Sequence, residues 1–146
     1  MAVSNIEMFD EITGKIFATL YQSFPMPKYL GVADFVEIPM EYSERQGMDV
    51  PTSEAEFFTA TAQWLINAGY ITGEPYPSMY VSDAILTAKG LEVLKAIPDS
   101  VSAKASIGEL LATTAKQEGK EVFRGLVGQA LGIGARLISP MVGLSS

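Results

Sequence analysis

The segment from Thr52 to Ile97 most constrains the fold, because it encodes a helix, a hairpin and a second helix with almost no linker between them. Thr52 is a typical N-cap residue, and two glutamates follow in the first helical turn, where the helix dipole favours acids. Apolar residues then recur at helical spacing as far as Gly69, which supplies a C-terminal stop. We therefore predict a helix over residues 54–68.

The two elements after this helix are equally well marked. Residues 70–86 have β-prone ends and a middle rich in glycine and proline, which predicts a two-stranded hairpin. Thr87 is placed to cap a short helix over residues 88–97, and Pro98 ends that helix. The order of elements is therefore helix, hairpin, helix.

The other segments give weaker signals. Helical spacing of apolar residues predicts a helix over residues 4–23, with Ser4 or Asn5 as its N-cap. Residues 29–35 are compatible with a short helix, and the polar stretch Glu41–Val50 is interpreted as a loop. Two C-terminal helices are expected, with a break or bend near Gly119 between them and Pro140 closing the second.

The predicted order resembles a winged helix-turn-helix. Trp64-Leu-Ile-Asn-Ala-Gly-Tyr-Ile71 resembles the end of the recognition helix and the first wing strand of MarR- and PadR-like regulators, and Leu86-Thr-Ala-Lys-Gly-Leu91 is similar to the step from the second wing strand into the next helix. The resemblance covers about residues 8–98. It implies a mainly α fold with a small β-hairpin: a winged-helix domain over residues 1–98, followed by a C-terminal helical extension over residues 99–146.

The charge distribution departs from that of a DNA-binding winged helix. Residues 1–98 contain 13 acidic and 5 basic residues, whereas residues 99–146 contain 4 and 5, so the net charge of −7 arises in the front part. Residues 29–88, which would contain the helix-turn-helix and the wing, have nine acids and a single base, Arg45. Because DNA-binding surfaces neutralise phosphates with Lys and Arg, nucleic acid is not expected to bind this face.

An acidic surface that also carries tyrosines suits a basic protein partner, since opposite fields speed encounter and tyrosine often anchors interfaces. We therefore predict a non-enzymatic, protein-binding function, and its most specific form is an immunity-type inhibitor that neutralises a basic toxin or nuclease, as small acidic bacterial proteins do. The predicted partner-binding residues lie on the third helix and the wing: Glu54, Glu56, Thr59, Gln63, Asn67, Glu74, Tyr76 and Tyr80.

Two alternatives stay open at this point. One is a transcriptional regulator that contacts DNA through another basic surface, such as the C-terminal helices. The other is a self-associating or membrane-peripheral helical module. It is suggested by Gly125, Gly128, Gly132 and Ala135, which lie three or four residues apart and form one strip of small residues. The first expectation for this strip is close packing against the protein's own domain, with homodimer formation second and contact with a membrane surface third.

The composition also limits the available chemistry. The chain has no cysteine and no histidine, which excludes disulfides, thiolate zinc sites and the His- or Cys-based catalytic triads. We therefore expect no catalytic residues, no metal site and no cofactor. The start of the chain lacks the features of a signal peptide, and charged residues interrupt its most apolar stretch, so we expect a cytoplasmic protein without a membrane span.

Overall fold

A computed structural model of the protein describes residues 4–98, 105–114 and 120–145, with residues 138–145 as backbone alone. Within these ranges the chain forms five α-helices and five short strands. The helices are α1 (Asn5–Ser23), α2 (Ser53–Asn67), α3 (Ala88–Lys95), α4 (Ile107–Thr114) and α5 (Lys120–Ser145). The strands are β1 (Lys28–Gly31), β2 (Met40–Ser43), β3 (Met48–Pro51), β4 (Ile71–Tyr76) and β5 (Tyr80–Leu86).

The predicted helix starts are confirmed, together with the caps that define them. The Ser4 side chain accepts a hydrogen bond from the Glu7 amide at 3.1 Å, and the Glu7 carboxylate accepts one from the Ser4 amide at 3.2 Å. Thr52 and Thr87 cap α2 and α3 in the same way, through their hydroxyl oxygens. Each cap satisfies backbone donors that the first helical turn leaves unpaired.

The strands form two small antiparallel sheets. One has three strands in the order β1-β5-β4, and the other is the β2–β3 hairpin. The prediction of an α-rich fold with a small hairpin, formed by β4 and β5, is therefore confirmed.

The interpretation of residues 28–51 was wrong in two places. Instead of a short helix, residues 28–31 form β1, which pairs with β5 and is followed by a single 3-10 turn, Val32–Asp34. The free edge of β5 accepts β1, and helical periodicity in one segment carries no information about such a distant partner. The predicted loop Glu41–Val50 lies within the β2–β3 hairpin, whose turn includes Gly47 at φ +67°.

One hydrophobic core joins elements from both ends of the chain. Phe17 of α1, Phe58 of α2 and Val81 of β5 are fully buried in the same cluster as Leu111 of α4 and Val127 of α5. The core residues on either side of position 98 thus belong to one cluster. Burial of this apolar surface supplies the main driving force for folding.

Helix α5 lies across α1 through tight contacts at small residues. A Cβ added to Gly14 of α1 would lie 2.2 Å from the Phe123 ring, so glycine permits the close approach of the two helices. Farther along α5, the Tyr70 hydroxyl donates a hydrogen bond to the Leu131 carbonyl at 3.3 Å. Arg124 adds ion pairs with Glu11 at 2.9 Å and Glu7 at 3.6 Å.

Helix α5 continues through Pro140 to Ser145, so the predicted end at Pro140 was wrong. A proline removes one backbone hydrogen bond, but a helix can continue beyond it with a kink. The expected break at Gly119 falls outside the described residues. In the parts of the chain that the structure describes, no helix combines the length and apolar character needed to cross a bilayer.

Candidate functional site

Residues 29–88 are all described, and their acidic side chains form no ion pair with a base in the part of the chain that the structure describes. Ion pairs among the described residues are those of Arg124 with Glu7 and Glu11, and none involves an acid of residues 29–88. The nine acids are Asp34, Glu37, Glu41, Glu44, Asp49, Glu54, Glu56, Glu74 and Asp83. Glu37 and Glu54 share a cavity with Lys15 and Lys120, and the field of the other exposed acids extends into solvent over about one Debye length.

Three of these acids lie on the β2–β3 hairpin, which is exposed over most of its length. Glu41, Glu44 and Asp49 are exposed, as are the large apolar side chains of Met40 and Tyr42. The hairpin therefore offers both negative charge and apolar surface to a partner.

A row of three tyrosines crosses the outer side of the three-stranded sheet. The Tyr29 and Tyr80 ring centroids are 5.0 Å apart, and those of Tyr80 and Tyr76 are 4.6 Å apart with an interplanar angle of 24°. Tyr29 and Tyr76 are 60% and 50% exposed, and Met79 in the connecting turn is 52% exposed. We call Tyr29, Tyr76 and Tyr80 the tyrosine row.

Strand register explains why the rings meet. Tyr76 and Tyr80 are cross-strand partners in the β4–β5 hairpin, and Gly31, two residues beyond Tyr29, pairs with Tyr80. Cross-strand neighbours place their side chains on the same side of a sheet, within reach of one another. The row is thus a product of three strands rather than of one sequence segment.

The middle ring of the tyrosine row, Tyr80, has a hydroxyl that remains protonated at neutral pH. Desolvation, followed by the neighbouring Tyr76 and Tyr29 and a hydrogen bond with Tyr76, raises the pKa of Tyr80 above its ordinary value. A protonated phenol both donates and accepts hydrogen bonds, so the row combines flat apolar surface with polar groups at its edge.

Most of the predicted residues of α2 lie on its exposed side. Glu56, Gln63 and Asn67 are exposed, and the Gln63 side-chain amide donates to the Asn67 oxygen at 3.0 Å. Thr59 has a different role: its hydroxyl accepts a hydrogen bond from the Ser78 amide at 2.6 Å and ties the turn of the β4–β5 hairpin to α2.

Glu54 is separated from this group. It borders a cavity of about 240 Å³ beside α1, together with Glu11, Lys15 and Glu37. Five residues of α-helix rotate a side chain by about 140° relative to the first, so Glu54 and Thr59 occupy different sides of α2. The structure thus groups Glu74, Tyr76 and Tyr80 on the sheet and places Glu54 elsewhere.

Sequence reasoning did not single out Tyr29 or the exposed apolar residues of the β2–β3 hairpin. A signal for Tyr29 existed, because alternation in Lys28–Gly31 places it opposite the buried Leu30 once the segment is recognised as a strand. The hairpin carries no such signal, since both of its faces are mainly solvated.

Among the described residues, the three glycines of the small-residue strip of α5 have little packed against them. A Cβ at Gly125 or Gly128 would meet nothing within 4 Å, and one at Gly132 would meet only the Arg136 guanidinium at 4.0 Å. Ala135 is exposed. Among the described residues, α5 packs on the domain through a different side, formed by Phe123, Leu126, Val127, Ala130 and Gly134.

The acidic side chains do not converge on a common point: within residues 4–98, 105–114 and 120–137, no group of three or more could hold a metal ion.

Comparisons with protein-family models, with curated proteins and with solved structures return no match to this chain.

Proposed function

We propose that this protein is a non-enzymatic, winged-helix binding domain that recognises a basic protein through an acidic face built around the tyrosine row. The observation that carries the proposal is the coincidence of the tyrosine row, with Tyr29 and Tyr76 exposed on either side of the partly buried Tyr80, with nine acids and one base over residues 29–88. We use the term acidic face for two exposed surfaces, the outer side of the β1-β5-β4 sheet with Glu74 and the β2–β3 hairpin with Glu41, Glu44 and Asp49.

The element order supports the winged-helix part of the proposal. Helix α1, strand β1, helix α2 and the β4–β5 hairpin follow one another, and β1 completes the three-stranded sheet. A helix-turn-helix that reads DNA has two helices joined by a short turn. In this chain the 3-10 turn and the β2–β3 hairpin precede α2 instead. They occupy the sequence position of the first helix of a helix-turn-helix, the helix that crosses the DNA backbone.

Electrostatics support a basic partner over nucleic acid. A DNA-reading face gains affinity from Lys and Arg contacts to phosphates, whereas here Arg45 is the single base among residues 29–88. The same acids that repel phosphates attract a cationic protein. Complementary electric fields raise the rate at which the two proteins associate at low ionic strength. Inhibition of a basic toxin or nuclease, as an immunity-type protein performs it, is the most specific form of this proposal.

The tyrosine row supplies the anchors that a charged surface lacks. Charge at the rim of an interface mainly sets encounter rate, whereas buried aromatic residues at its centre provide most of the binding energy. Tyr76 and Tyr80 are already stacked, so little side-chain freedom is lost when a partner covers them. A partner rich in Arg gains further from cation–π contact with the rings.

The test begins with affinity capture from the source cells and titration of the captured protein, once purified, against the purified chain. We expect a basic partner whose dissociation constant rises at least tenfold between 50 and 500 mM salt. Tyr76→Ala and Tyr80→Ala should each weaken binding by about 2 kcal/mol, roughly thirtyfold, as for interface hot spots. Glu74→Lys should weaken it mainly by slowing association.

Glu92→Lys is the matched control, because Glu92 is an exposed acid of α3 outside the acidic face. It makes the same charge change as Glu74→Lys and should leave affinity within about twofold. The proposal is overturned if the captured partner binds the tyrosine variants as tightly as the original chain. Salt-sensitive binding of duplex DNA that survives Glu74→Lys would equally contradict it.

A further inference from the structure

A cavity of about 360 Å³ lies beside β1, between α1, the 3-10 turn and α4, and Tyr29 of the tyrosine row forms part of its lining. Its floor is apolar and includes Leu30, Phe35 and Ala112, while its rim includes Lys15 and Lys28. The volume lies near the lower end of the roughly 300–1,000 Å³ that small-molecule sites occupy. An apolar floor with a few polar groups at the rim is also the usual composition of such sites.

Two lysines at one cavity are unusual in this part of the chain, because basic residues are rare there. Residues 1–88 contain three basic residues, and two of them, Lys15 and Lys28, border this one cavity. Neither forms an ion pair with a carboxylate among the described residues. Residues 1–98 contain thirteen acids that could have paired with these lysines. Since none does, the two ammonium groups are available to an anion.

The floor of the cavity is held rigidly. Leu30 and Phe35 are buried, and the Phe35 ring stacks on the fully buried Phe58 with centroids 5.1 Å apart. Lys15 comes from α1 and Lys28 from β1, so two regular elements position the charges. A preformed site of this kind loses little entropy when it binds a ligand.

We infer that this cavity is a binding site for a small organic monocarboxylate with an apolar body, aromatic or branched. The apolar body would lie on Leu30, Phe35 and Ala112, and the carboxylate would lie between Lys15 and Lys28. Asp34 also borders the cavity, and Lys15 additionally borders the neighbouring cavity that Glu11 and Glu37 line, so nearby carboxylates favour a monoanion over a phosphate dianion. The site borders the tyrosine row at Tyr29, but it uses a different set of charges, Lys15 and Lys28, and needs no protein partner.

The test uses 3-phenylpropionate as the probe, titrated into ¹⁵N-labelled protein and followed by amide chemical shifts. We expect saturable shifts at residues 15–19, 28–35 and 112, with a dissociation constant of order 1 mM, as suits a small ligand. 4-Methylpentanoate serves as a second probe, and its affinity relative to 3-phenylpropionate reports whether the body is preferably aromatic or branched.

Three variants locate the site. The double variant Lys15→Gln/Lys28→Gln should raise the dissociation constant roughly tenfold or more, because it removes both charge-assisted hydrogen bonds. Ala112→Leu should block binding by filling the floor. Lys95→Gln, which changes an exposed lysine of α3 outside the cavity, should leave affinity unchanged.

Three outcomes would overturn the inference: no saturable shift at 10 mM probe, equal affinity for 3-phenylpropylamine, or unchanged affinity in the double lysine variant. Tighter binding of inorganic phosphate than of 3-phenylpropionate would also refute it, because phosphate has no apolar body. Each variant is checked for folding by its spectrum without ligand, since Lys15 and Lys28 are exposed and their loss should leave the fold intact.

Discussion

Replacing glycine by alanine at two positions, Gly14 of α1 and Gly128 of α5, should change the free energy of unfolding in opposite directions. Gly14 lies in the contact between the two helices, whereas Gly128 lies on the open side of α5. In Gly14→Ala the new Cβ would lie 2.2 Å from Phe123 Cε2 and 2.9 Å from Val127 Cγ2, and both side chains are buried. Carbon atoms pack best at about 3.5–4.0 Å, so the ring must move by more than about 1 Å within a filled core. Overpacking of this kind costs about 1–3 kcal/mol, and replacing glycine by alanine in a helix returns about 0.5–1 kcal/mol. We therefore expect the free energy of unfolding to fall by about 1–2 kcal/mol.

Gly128→Ala is the matched control on the open side of α5. A Cβ there meets nothing within 4 Å, so the helix-propensity gain is unopposed and the free energy of unfolding should rise by about 0.5–1 kcal/mol. Urea unfolding followed by Trp64 fluorescence measures both effects, since the Trp64 ring lies 5.3 Å from Phe9 of α1. If Gly14→Ala is as stable as the original chain, α5 does not lie against α1 as described.

Two further substitutions test local contacts of the structure. Ser106 donates to the Glu109 carboxylate from its amide and its hydroxyl, both at 3.0 Å, and these bonds hold the pKa of Glu109 below its ordinary value of 4.5. A lowered folded-state pKa stabilises the protein above that ordinary value, and the stabilisation is lost as pH falls through the folded pKa. Ser106→Ala removes the hydroxyl bond but keeps the amide bond, which is the larger cause, so NMR titration should show the pKa of Glu109 rising only part of the way towards 4.5, and an unchanged pKa would refute the role of the hydroxyl. Thr59→Val keeps the shape of the side chain but removes the acceptor for the Ser78 amide, so hydrogen exchange at that amide should accelerate roughly tenfold. Thr59→Ser should preserve the protection, and equal exchange in the two variants would contradict the proposed link between α2 and the hairpin turn.

The parts of the fold that the sequence predicted are those that local signals specify. Ser4, Thr52 and Thr87 each cap a helix with their own hydroxyl, and the glycine and proline pattern of residues 70–86 marks a hairpin without reference to any distant segment. Such signals act within about four residues, so they are readable from one sequence.

The segment between α1 and α2 was not predictable for the opposite reason. Strand β1 exists because Leu30 pairs with Val81, about fifty residues away in the sequence, and a four-residue strand has too few positions to establish a period. The tyrosine row shares this dependence, since Tyr29 reaches Tyr80 only through that pairing. For Glu54, closeness in sequence to Glu56 and Thr59 suggested a common surface, whereas rotation along the helix separates their side chains.

The β2–β3 hairpin bears on what the acidic face can contact. A two-stranded hairpin has unpaired edges, and exposed side chains such as Met40 and Tyr42 would favour edge-to-edge pairing with a second copy of the chain. The three acids on the same hairpin oppose this, because two copies would bring like charges together. A basic partner meets no such repulsion and gains from the apolar side chains that a second copy cannot reach. In the proposed function, the same charges that disfavour pairing of two hairpins would favour a cationic partner, and selective recognition requires both effects.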